Sequence, residues 1–398
     1  MKIVATVFEE TFDAALASIP AECDMVELRA EHLGAIDLNA LRAATSKPII
    51  LTYRGVRQPP PAVAALEAGI DFIDVEWQPD LRLELPRERV VLSHHDYEAL
   101  DLEPLAAMRA FGCAYTKLAV TPHTLEENLR LLEHAKDITV IGMGERGLYS
   151  RILAPFLGSE LTFVAATKSA APGQLTLDRA LAIYGTDRER LHAKHVFAIA
   201  GNPAGHSLSP TIHNPLFRRH GVDAAYTIAS FETFDEIVKE KSIRGLSVTA
   251  PFKEEAMKYA DRLGRNAREA GAINTLVRMS DGSTFGDNTD VDGFLALIGK
   301  PKNVAIVGAG GTARAALVAC RRVGAEVRVF NRSRREIPSE PLENLENFEG
   351  DLIIDTLPVA IDLPDISTIT ARYPGGGEAL LQAQAIRQNE IFREALIE

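Results

Sequence analysis

The chain lacks paired cysteines, a transmembrane segment and a signal peptide, so its sequence is that of an ordinary globular protein. Its three cysteines, Cys23, Cys113 and Cys320, are far apart and form no CxxC pair. They exclude a disulfide framework and a cysteine-based metal site, and they favour a reduced, cytoplasmic protein. No apolar run is long enough to span a membrane, and the first ten residues hold too short an apolar stretch for a signal peptide.

Positive charge is also scarce. The 43 Lys and Arg residues are outnumbered by 55 Asp and Glu residues, and the net charge of −12 argues against nucleic acid or an anionic membrane as a partner. Small anionic ligands are not excluded, because a few local side chains can hold them. His94 and His95 lack the i, i+4 spacing of a helical metal site, so we expect no metal. At 398 residues the chain fits two or three domains, and its oligomeric state stays open.

The first half contains eight short β-prone runs at regular spacing. They start at Lys2, Asp24, Pro48, Asp71, Arg89, Ala114, Asp137 and Leu161. Helix-like stretches lie between them, which is typical of strand-plus-helix units. Eight such units in the first half predict a compact TIM (β/α)8 barrel. An open doubly wound sheet is the alternative, but it rarely repeats so evenly through eight strands.

The ends of these predicted strands are unusually polar, and a TIM barrel gathers its chemistry at the carboxyl ends of its strands. Lys117 lies inside an otherwise apolar strand, where a lysine is costly unless it is paired or used. It is either a structural ion pair or an amine that attacks a carbonyl, its pKa lowered by desolvation and neighbouring cations. His95, at the end of the preceding strand, is suited to moving protons at neutral pH. Nearby arginines could hold a substrate carboxylate.

A glycine-rich turn in the second half follows the strand VAIV and opens a helix. This context predicts a dinucleotide-binding Rossmann turn, formed by Gly308, Gly310, Gly311, Thr312 and Ala313. About 20 residues later a second strand ends in a polar, cationic cluster where an NAD enzyme carries Asp or Glu. We interpret the cluster as a binding site for the 2′-phosphate of NADP, and the alternative interpretation is an ordinary solvated surface loop. The cluster consists of Asn331, Arg332, Ser333, Arg334 and Arg335.

Polar loops ahead of the glycine turn carry hydroxyl, amide and charged side chains that could together bind a polyol acid. They include Ser207, Ser209, Thr249 and Asn274. Lys253 and Asp290 form a plausible proton-transfer pair. The alternative is that these loops are ordinary turns, which would account for most of their Gly, Asn and Asp residues.

The motifs of the first half resemble type I 3-dehydroquinate dehydratase over essentially all of residues 1–190. They are VELRAEHL, LTYRG, DFIDVEW, SHHDY, TKLAV, an MGxxGxxSR stretch and SAAPGQ, in that order. The resemblance implies that Lys117 forms an imine with the substrate ketone and that His95 is the general acid/base. It implies substrate binding by Glu27, Arg29, Arg54, Met143, Arg151 and Gln174. Gln58, where some members carry Glu, and Ala170, where the family often has Ser, depart from the pattern.

The motifs GHSLSP, SVTAPFK, GAINT and FGDNTDVDG resemble shikimate dehydrogenase over roughly residues 195–300, and the resemblance returns at the glycine turn. It implies that Ser207 and Ser209 bind the substrate carboxylate and that Lys253 and Asp290 are the catalytic pair. The residues implied to hold the ring hydroxyls are Thr249, Asn274, Asp290 and Gln384. Both serines of the SLS motif are present, which favours shikimate over quinate.

Together the halves resemble the bifunctional 3-dehydroquinate dehydratase/shikimate dehydrogenase of plants. The implied function is dehydration of 3-dehydroquinate to 3-dehydroshikimate, followed by reduction to shikimate with NADPH. The implied domains are a barrel (1–193), a substrate-binding domain (194–294, completed by a C-terminal helix at about 379–398) and an NADP-binding Rossmann domain (295–378).

The C-terminal part departs from the shikimate dehydrogenase pattern. After DLIIDTLPVA the family has a further strand, a turn and a helix, and some tens of these residues are absent here. The missing stretch would wall the nicotinamide pocket. Two alternatives therefore stand beside the bifunctional enzyme: an active dehydratase with an impaired dehydrogenase domain, and a non-enzymatic sensor of quinate or shikimate.

Overall fold

The computed structural model describes residues 1–55, 62–189, 191–333, 337–373 and 375–397. Gln58, Arg334 and Arg335 lie outside these ranges. In the described parts of the chain, no helix is long and apolar enough to cross a membrane. Of the three cysteine thiols, those of Cys23 and Cys320 are buried in the core and that of Cys113 is half-buried.

Eight parallel strands form the first sheet, and each begins within two residues of a run that the sequence predicts. They are β1 (Lys2–Val7), β2 (Met25–Arg29), β3 (Ile49–Thr52), β4 (Phe72–Glu76), β5 (Val90–Asp96), β6 (Tyr115–Val120), β7 (Thr139–Gly142) and β8 (Leu161–Ala165). The helices between and after them are α1 (Phe12–Ala17), α2 (Leu38–Ala44), α3 (Ala62–Glu67), α4 (Leu105–Phe111), α5 (Leu125–Leu132), α6 (Leu148–Leu153) and α7 (Leu177–Tyr184).

The strand order is β7–β6–β5–β4–β3–β2–β1–β8, and β7 also lies beside β8, which nearly closes the sheet into a barrel. The predicted α/β barrel is thus confirmed. Several helices begin at a threonine or aspartate whose side chain accepts a backbone N–H of the first turn, as Thr124 does for α5 and Thr176 for α7. Apolar side chains of the strands fill the interior, among them Val4, Ile50 and Val91. These layers leave the polar strand ends at one rim.

The elements that follow the barrel are β9 (His195–Ala200), α8 (Ser209–Arg219), β10 (Ala224–Ala229), α9 (Phe234–Val238), β11 (Ile243–Val248), β12 (Arg262–Leu263), α10 (Arg265–Ala270), β13 (Thr275–Arg278), β14 (Thr284–Asp287) and α11 (Asp290–Leu297). The remaining elements are β15 (Asn303–Val307), α12 (Gly311–Arg322), β16 (Glu326–Asn331), β17 (Glu340–Pro341), β18 (Leu352–Asp355), β19 (Thr368–Thr370) and α13 (Glu378–Ile397). Short 3₁₀ helices span Arg87–Arg89, Ala154–Leu157, Glu255–Tyr259 and Leu342–Asn347.

The chain forms two compact units. The first comprises Met1–Lys194, Gly205–Arg218 and Asp223–Phe231, and the second comprises His195–Ala204, Arg219–Val222 and Glu232–Glu398. Most of α8 and all of β10 therefore pack with the barrel. Within the first unit, the Thr227 hydroxyl of β10 donates to the Tyr149 carbonyl of α6 at 3.0 Å. The three-part domain division that the sequence implies stays a prediction.

Five strands of the second unit lie side by side in the order β9–β11–β13–β14–β12. β11 is parallel to β9 and antiparallel to β13. The C-terminal helix α13 packs on this sheet, where the Phe392 ring lies 4.7 Å from that of Phe197 between centroids. The Ser247 hydroxyl of β11 also donates to Gln388 of α13 at 2.5 Å. This packing places the middle of α13 against the carboxyl end of β11.

The other sheet of the second unit is parallel and has the order β17–β16–β15–β18–β19. This is the 3-2-1-4-5 order of a Rossmann fold, whose ligands bind where the order reverses, here between β15 and β18. Small side chains let α12 pack closely on the sheet, since Ala313, Ala315 and Ala316 are buried. The segment that the sequence marks as shortened still forms the strand β19, although residues 356–367 and the described residues of 371–377 contain no helix.

Candidate active sites

A cavity opens among the strand ends of the barrel, and the polar residues that the sequence singles out converge on it. The cavity has a volume of about 30 Å³. Its predicted lining residues are Glu27, Arg29, Arg54, His95, Lys117, Met143, Arg151 and Gln174. Strand residues such as Lys117 and His95 meet there because alternate side chains near the carboxyl ends point into the barrel. The other lining residues come from strand β2 (Glu27 and Arg29) and from the segments that follow β3, β7 and β8 (Arg54, Met143, Arg151 and Gln174).

Lys117 is deeply buried, with 4% of its surface exposed. Two carboxylates lie near its amine, since Glu27 Oε1 and Asp74 Oδ2 are each 3.5 Å from Nζ. The amine also sits 4.0 Å from the centre of the Phe163 ring, within cation–π distance. The sequence predicts neighbouring cations for this lysine, and its immediate partners are instead anions. An imine that is protonated at Nζ carries the same positive charge as the ammonium, so these carboxylates stabilise it equally well.

Glu27 is held ionised by its surroundings. Burial by itself would raise its pKa, but the charges of Lys117 and Arg29 together with a hydrogen bond from Thr6 lower the pKa of Glu27 to about 2. The Thr6 hydroxyl donates to Oε2 at 2.7 Å and the Thr52 hydroxyl to Oε1 at 3.0 Å. A carboxylate with this many donors is negative at neutral pH.

His95 sits at the rim with its ring buried. Burial together with the positive charges of Arg54 and Lys117 lowers the pKa of His95 well below its usual value, so the ring is neutral at pH 7. Its Nδ1 lies 2.9 Å from Glu76 Oε2, and its backbone N–H donates to Glu76 Oε1 at 2.9 Å. The Tyr97 ring stacks on the imidazole at 6.2 Å between centroids. A neutral, oriented imidazole is the form that can take a proton from a substrate carbon.

Arg54 is bound by carboxylates of the same rim. Its Nη1 donates to Glu76 and lies 3.4 Å from Asp74 Oδ1. Burial alone would lower the pKa of Arg54, but these two anions raise it. The same Nη1 lies 3.0 Å from Nδ1 of His95. Because a guanidinium and a protonated Nδ1 are both donors, Glu76 accepts from both and so links the arginine to the histidine.

The other predicted substrate residues are anchored to the rim by their polar atoms. Arg29 pairs with Glu31. Arg151 is 4% exposed and donates from Nε to the Gly142 carbonyl at 2.8 Å, and burial lowers its pKa. Gln174 donates to the Thr6 hydroxyl at 3.2 Å and accepts from the Ala170 N–H at 2.8 Å. Ala170, which stands where the family often has Ser, therefore still contributes its backbone N–H to the site.

The sequence analysis assigned no role in the site to several side chains that the structure places at this rim. Asp74 and Glu76 lie two apart on β4, so strand periodicity puts both on the inner face. Ser93 of β5 donates to Asp74 at 2.7 Å. The period-2 pattern of FIDVE was the signal that could have found both acids. Tyr97 follows the SHHD motif, and nothing in its local pattern marks it as a lining residue.

In the second unit, Lys253 and Asp290 are in direct contact. The distance between Nζ and Oδ2 is 2.5 Å, and both side chains are largely buried. Nζ also donates to the hydroxyl of Thr312 at 2.9 Å. Thr312 belongs to the first turn of α12, directly after the glycine turn. The predicted proton-transfer pair therefore lies beside the predicted dinucleotide-binding turn.

A buried amide network holds Asp290 from the other side. Asn274 donates to Asp290 Oδ1 at 2.8 Å and to the Thr289 hydroxyl at 3.0 Å. Gln384 of α13 accepts from Thr289 at 3.1 Å. Gln388, one turn further along α13, donates to the Asn274 carbonyl at 2.9 Å and was not predicted. An i, i+4 glutamine pair on the last helix was the available signal.

A cavity of about 600 Å³ lies over the glycine turn of the second unit. Lys253 and Thr249 line it together with Gly308, Gly310, Gly311, Thr312, Ala313, Asn331, Arg332 and Ser333. Gly308 has φ +110°, and a Cβ there would come within 2.4 Å of the Thr356 hydroxyl. Beside the N-terminus of α12, such a turn lets backbone N–H groups approach a pyrophosphate. The residues present therefore fit a dinucleotide.

Ser207 and Ser209 belong to the first unit. Both are 2% exposed, and the Ser207 hydroxyl lies 3.1 Å from that of Ser209. The Ser209 N–H donates to the Ser207 hydroxyl at 3.2 Å. The Ser207 hydroxyl donates to that of Ser209 in this arrangement, and because a hydroxyl hydrogen can rotate, both side chains can serve as donors to a carboxylate.

The fold and the sites define a two-part α/β enzyme, in which a barrel with a buried lysine precedes a Rossmann-type half with a lysine–aspartate pair. Residues 3–190 match the family of type I 3-dehydroquinase, and residues 199–276 match the shikimate dehydrogenase substrate binding domain. The shikimate biosynthesis protein AroDE of Chlamydia pneumoniae is 30% identical over 384 residues, 86% of this chain and 80% of that protein. The chain belongs to the family of bifunctional proteins that join a type I 3-dehydroquinase to a shikimate dehydrogenase.

Two further proteins are similar to the chain. A pentafunctional AROM polypeptide of Lachancea thermotolerans is 30% identical over an alignment of 449 positions that covers 96% of this chain and 28% of that polypeptide. The chain thus spans less than a third of that polypeptide. The solved dehydroquinate dehydratase and shikimate dehydrogenase from S. pombe AroM is 22% identical, covers 100% of this chain and 98% of its own, and has a TM-score of 0.38.

Proposed function

We propose that the chain dehydrates 3-dehydroquinate to 3-dehydroshikimate in the barrel and reduces 3-dehydroshikimate to shikimate with NADPH in the second half. The observation that carries the proposal is a pair of buried lysines, Lys117 and Lys253, each in a cavity that also holds a carboxylate partner. The family assignment names the substrates of both reactions. The proposed domains are 1–193, 194–294 completed by 379–398, and 295–378.

In the dehydratase reaction, the amine of Lys117 condenses with the substrate ketone and releases water, which leaves a protonated imine between Glu27 and Asp74. His95, neutral and held by Glu76, removes the C2 proton. The same residue then returns its proton to the departing hydroxyl, so that water leaves, and hydrolysis of the imine frees Lys117. The anchored side chains of Arg29, Arg54, Met143, Arg151 and Gln174 would bind and orient the substrate.

In the reductase reaction, Lys253 donates a proton to the carbonyl oxygen of 3-dehydroshikimate as that carbon is reduced. Asp290, whose Oδ2 lies 2.5 Å from Nζ, holds the Lys253 amine in position. Thr249, Asn274 and Gln384 would hold the ring hydroxyls, and Ser207 with Ser209 would bind the carboxylate. The nicotinamide of NADPH supplies the hydride when it is bound.

The proposed preference for NADP rests on the end of β16. Asn331, Arg332 and Ser333 line the cavity there, at the position where an NAD enzyme carries an acidic residue. A guanidinium binds a phosphate through charge-assisted hydrogen bonds, whereas a carboxylate would repel it. Arg334 and Arg335, outside the described residues, remain further candidates for the same contact.

The test follows both reactions in one cuvette containing the protein, 3-dehydroquinate and NADPH. Enone absorbance that rises first, followed by loss of NADPH absorbance, supports the bifunctional enzyme. Enone that accumulates while NADPH stays constant would mean an active dehydratase with an impaired dehydrogenase. If no enone forms, the dehydratase proposal fails and the sensor alternative takes its place. A Lys253→Ala variant, which should form enone at the wild-type rate without consuming NADPH, is the matched control for the second step.

A further inference from the structure

The loop that carries Ser207 is fixed from the barrel side by a single arginine of α7. Nη2 of Arg179 donates to the Ser207 carbonyl at 2.9 Å, and Nη1 donates to the Gly205 carbonyl at 3.5 Å. All three residues belong to the first unit. Since α7 follows the last barrel strand, a residue of the dehydratase half contacts the backbone of a loop that belongs to the dehydrogenase motif GHSLSP.

Arg179 has the properties of a side chain dedicated to this contact. It is half-buried, and burial alone lowers its pKa. Among the described residues no carboxylate pairs with it, and its Nε has no hydrogen-bond partner. A guanidinium held away from water without a counter-charge is costly. The two carbonyls of the loop are therefore the groups that keep Arg179 in this position.

Glu145 binds the same loop by accepting from a backbone N–H of the loop, whereas Arg179 donates to its carbonyls. Its Oε1 accepts the Gly205 N–H at 2.9 Å and the Ser230 hydroxyl at 2.6 Å. A Cβ at Gly205 would lie 2.8 Å from Glu145 Cγ, so the close approach requires a glycine there. Glu145 belongs to the MGERGLYSR stretch of the barrel. Two barrel side chains of opposite charge thus bind the backbone that precedes the serine pair.

We propose that Arg179 is a positioning residue for substrate recognition by the dehydrogenase. By fixing the Ser207 carbonyl it fixes the adjacent hydroxyl, and with it the donor pair of Ser207 and Ser209 that binds the substrate carboxylate. The inference rests on the proposed function of those serines. It assigns a side chain of α7 to the support of the Ser207 and Ser209 pair within the first unit.

The test compares Arg179→Met with the wild-type full-length chain in shikimate oxidation by NADP. We expect KM for shikimate to rise about tenfold with kcat changed less than about twofold, because the lost contact weakens ground-state and transition-state binding alike. The dehydratase kcat/KM of the same variant should equal that of wild type, which shows that the barrel is folded. With shikimate methyl ester, whose carboxylate is blocked, the two proteins should have equal KM values. Arg179→Lys, which has one donating nitrogen in place of the two that contact the loop, should give an intermediate KM for shikimate.

Arg218 of α8 provides a matched control. It is half-buried, its pKa is also lowered by burial, and it donates to the Ala182 carbonyl at 3.0 Å and to the Ile183 carbonyl, both on α7. Arg218→Met should leave KM for shikimate unchanged. The inference would be overturned, and the proposed function left standing, by any of three results. KM for shikimate could rise equally in Arg218→Met, KM for the methyl ester could rise in Arg179→Met as much as KM for shikimate does, or KM for shikimate could stay unchanged in Arg179→Met. A wild-type chain that does not bind shikimate would overturn the proposed function together with it.

Discussion

Nδ1 of His95 lies 2.9 Å from Oε2 of Glu76. A carboxylate can only accept, so this contact favours the tautomer with the ring proton on Nδ1 and the lone pair on Nε2, while Nη1 of Arg54, 3.0 Å from the same Nδ1, donates to Glu76 instead. Glu76 also accepts the backbone N–H of His95 and a donor of Arg54. The acid therefore orients the ring and selects its tautomer at once, as carboxylates do in other acid–base sites.

Glu76→Gln should lower kcat of the dehydratase about 100-fold, because an amide does not enforce the same tautomer. KM for 3-dehydroquinate should change little, since Arg54, the substrate-binding partner of Glu76, keeps Asp74 as a second carboxylate neighbour at 3.4 Å. The measurement is the initial rate of enone formation over a range of substrate concentrations. Glu126→Gln on the exposed face of α5 is the control and should behave as wild type. A Glu76→Gln variant with unchanged kcat would remove the positioning role.

The low pKa of His95 predicts how the dehydratase responds to acid. Burial and the charges of Arg54 and Lys117 disfavour the imidazolium, so the ring stays neutral, and able to accept the C2 proton, at pH values below its usual pKa. The dehydratase kcat/KM should therefore stay level from about pH 7.5 to about pH 6 and decline only at lower pH. A pH profile of initial rates tests this, and an acid limb with an apparent pKa of 6.5 or above would contradict it.

The barrel was predictable because its signal is local and repeated. Eight apolar runs, each followed by a helix-like stretch, predict the number of strands. The position of a residue at the end of a strand predicts that its side chain faces the cavity, as it does for Lys117 and His95. Strand periodicity can place acids such as Asp74 on the inner face of the barrel, but which acid pairs with which residue was not predictable, because the partners come from different strands. Asp74 approaches Lys117 from 43 positions earlier, and only the register of β4, β5 and β6 brings the two together.

The second half shows the same division between local and long-range information. The glycine turn is a contiguous motif, so its place before α12 follows from the sequence. The i, i+4 spacing from Gln384 could have marked Gln388, but its partner Asn274 lies 114 positions away, and no local pattern reveals that pairing. The strand β19 has three residues, too few for a periodic signal, and it forms through pairing with β18. Arg179 could not be predicted either, because its partners are backbone carbonyls of a distant loop.

The imine predicts a covalent adduct that can be trapped. Reduction with borohydride in the presence of 3-dehydroquinate converts the imine to a stable amine, so the intact mass should rise by that of the reduced, bound ligand. Peptide mapping should place the adduct on Lys117. His95→Asn should still form the adduct while its turnover falls about 10²- to 10⁴-fold, because imine formation does not need the C2 proton to leave.

Lys117→Ala is the matched variant in this experiment and should give no adduct and no enone. The removed ammonium leaves Glu27 and Asp74 buried without their counter-charge, so the stability of the variant has to be compared as well. Lys117→Arg keeps the charge and cannot form an imine, and it should be as inactive as the alanine variant. An adduct on a different lysine, or turnover by either variant, would contradict the mechanism.

Arg332 is the described residue through which cofactor preference is most directly tested. It lines the cavity at the end of β16, where a 2′-phosphate would bind, and removing a charge-assisted hydrogen bond costs about 1.5–3 kcal/mol. Arg332→Ala should therefore raise KM for NADPH about 10- to 100-fold and leave KM for NADH unchanged, because NADH has no phosphate there. Arg328→Ala is the control: it lies on the same strand but is paired with Glu340 at 2.6 Å, so neither KM should change. Equal losses with both cofactors in Arg332→Ala would mean that this arginine does not discriminate between them.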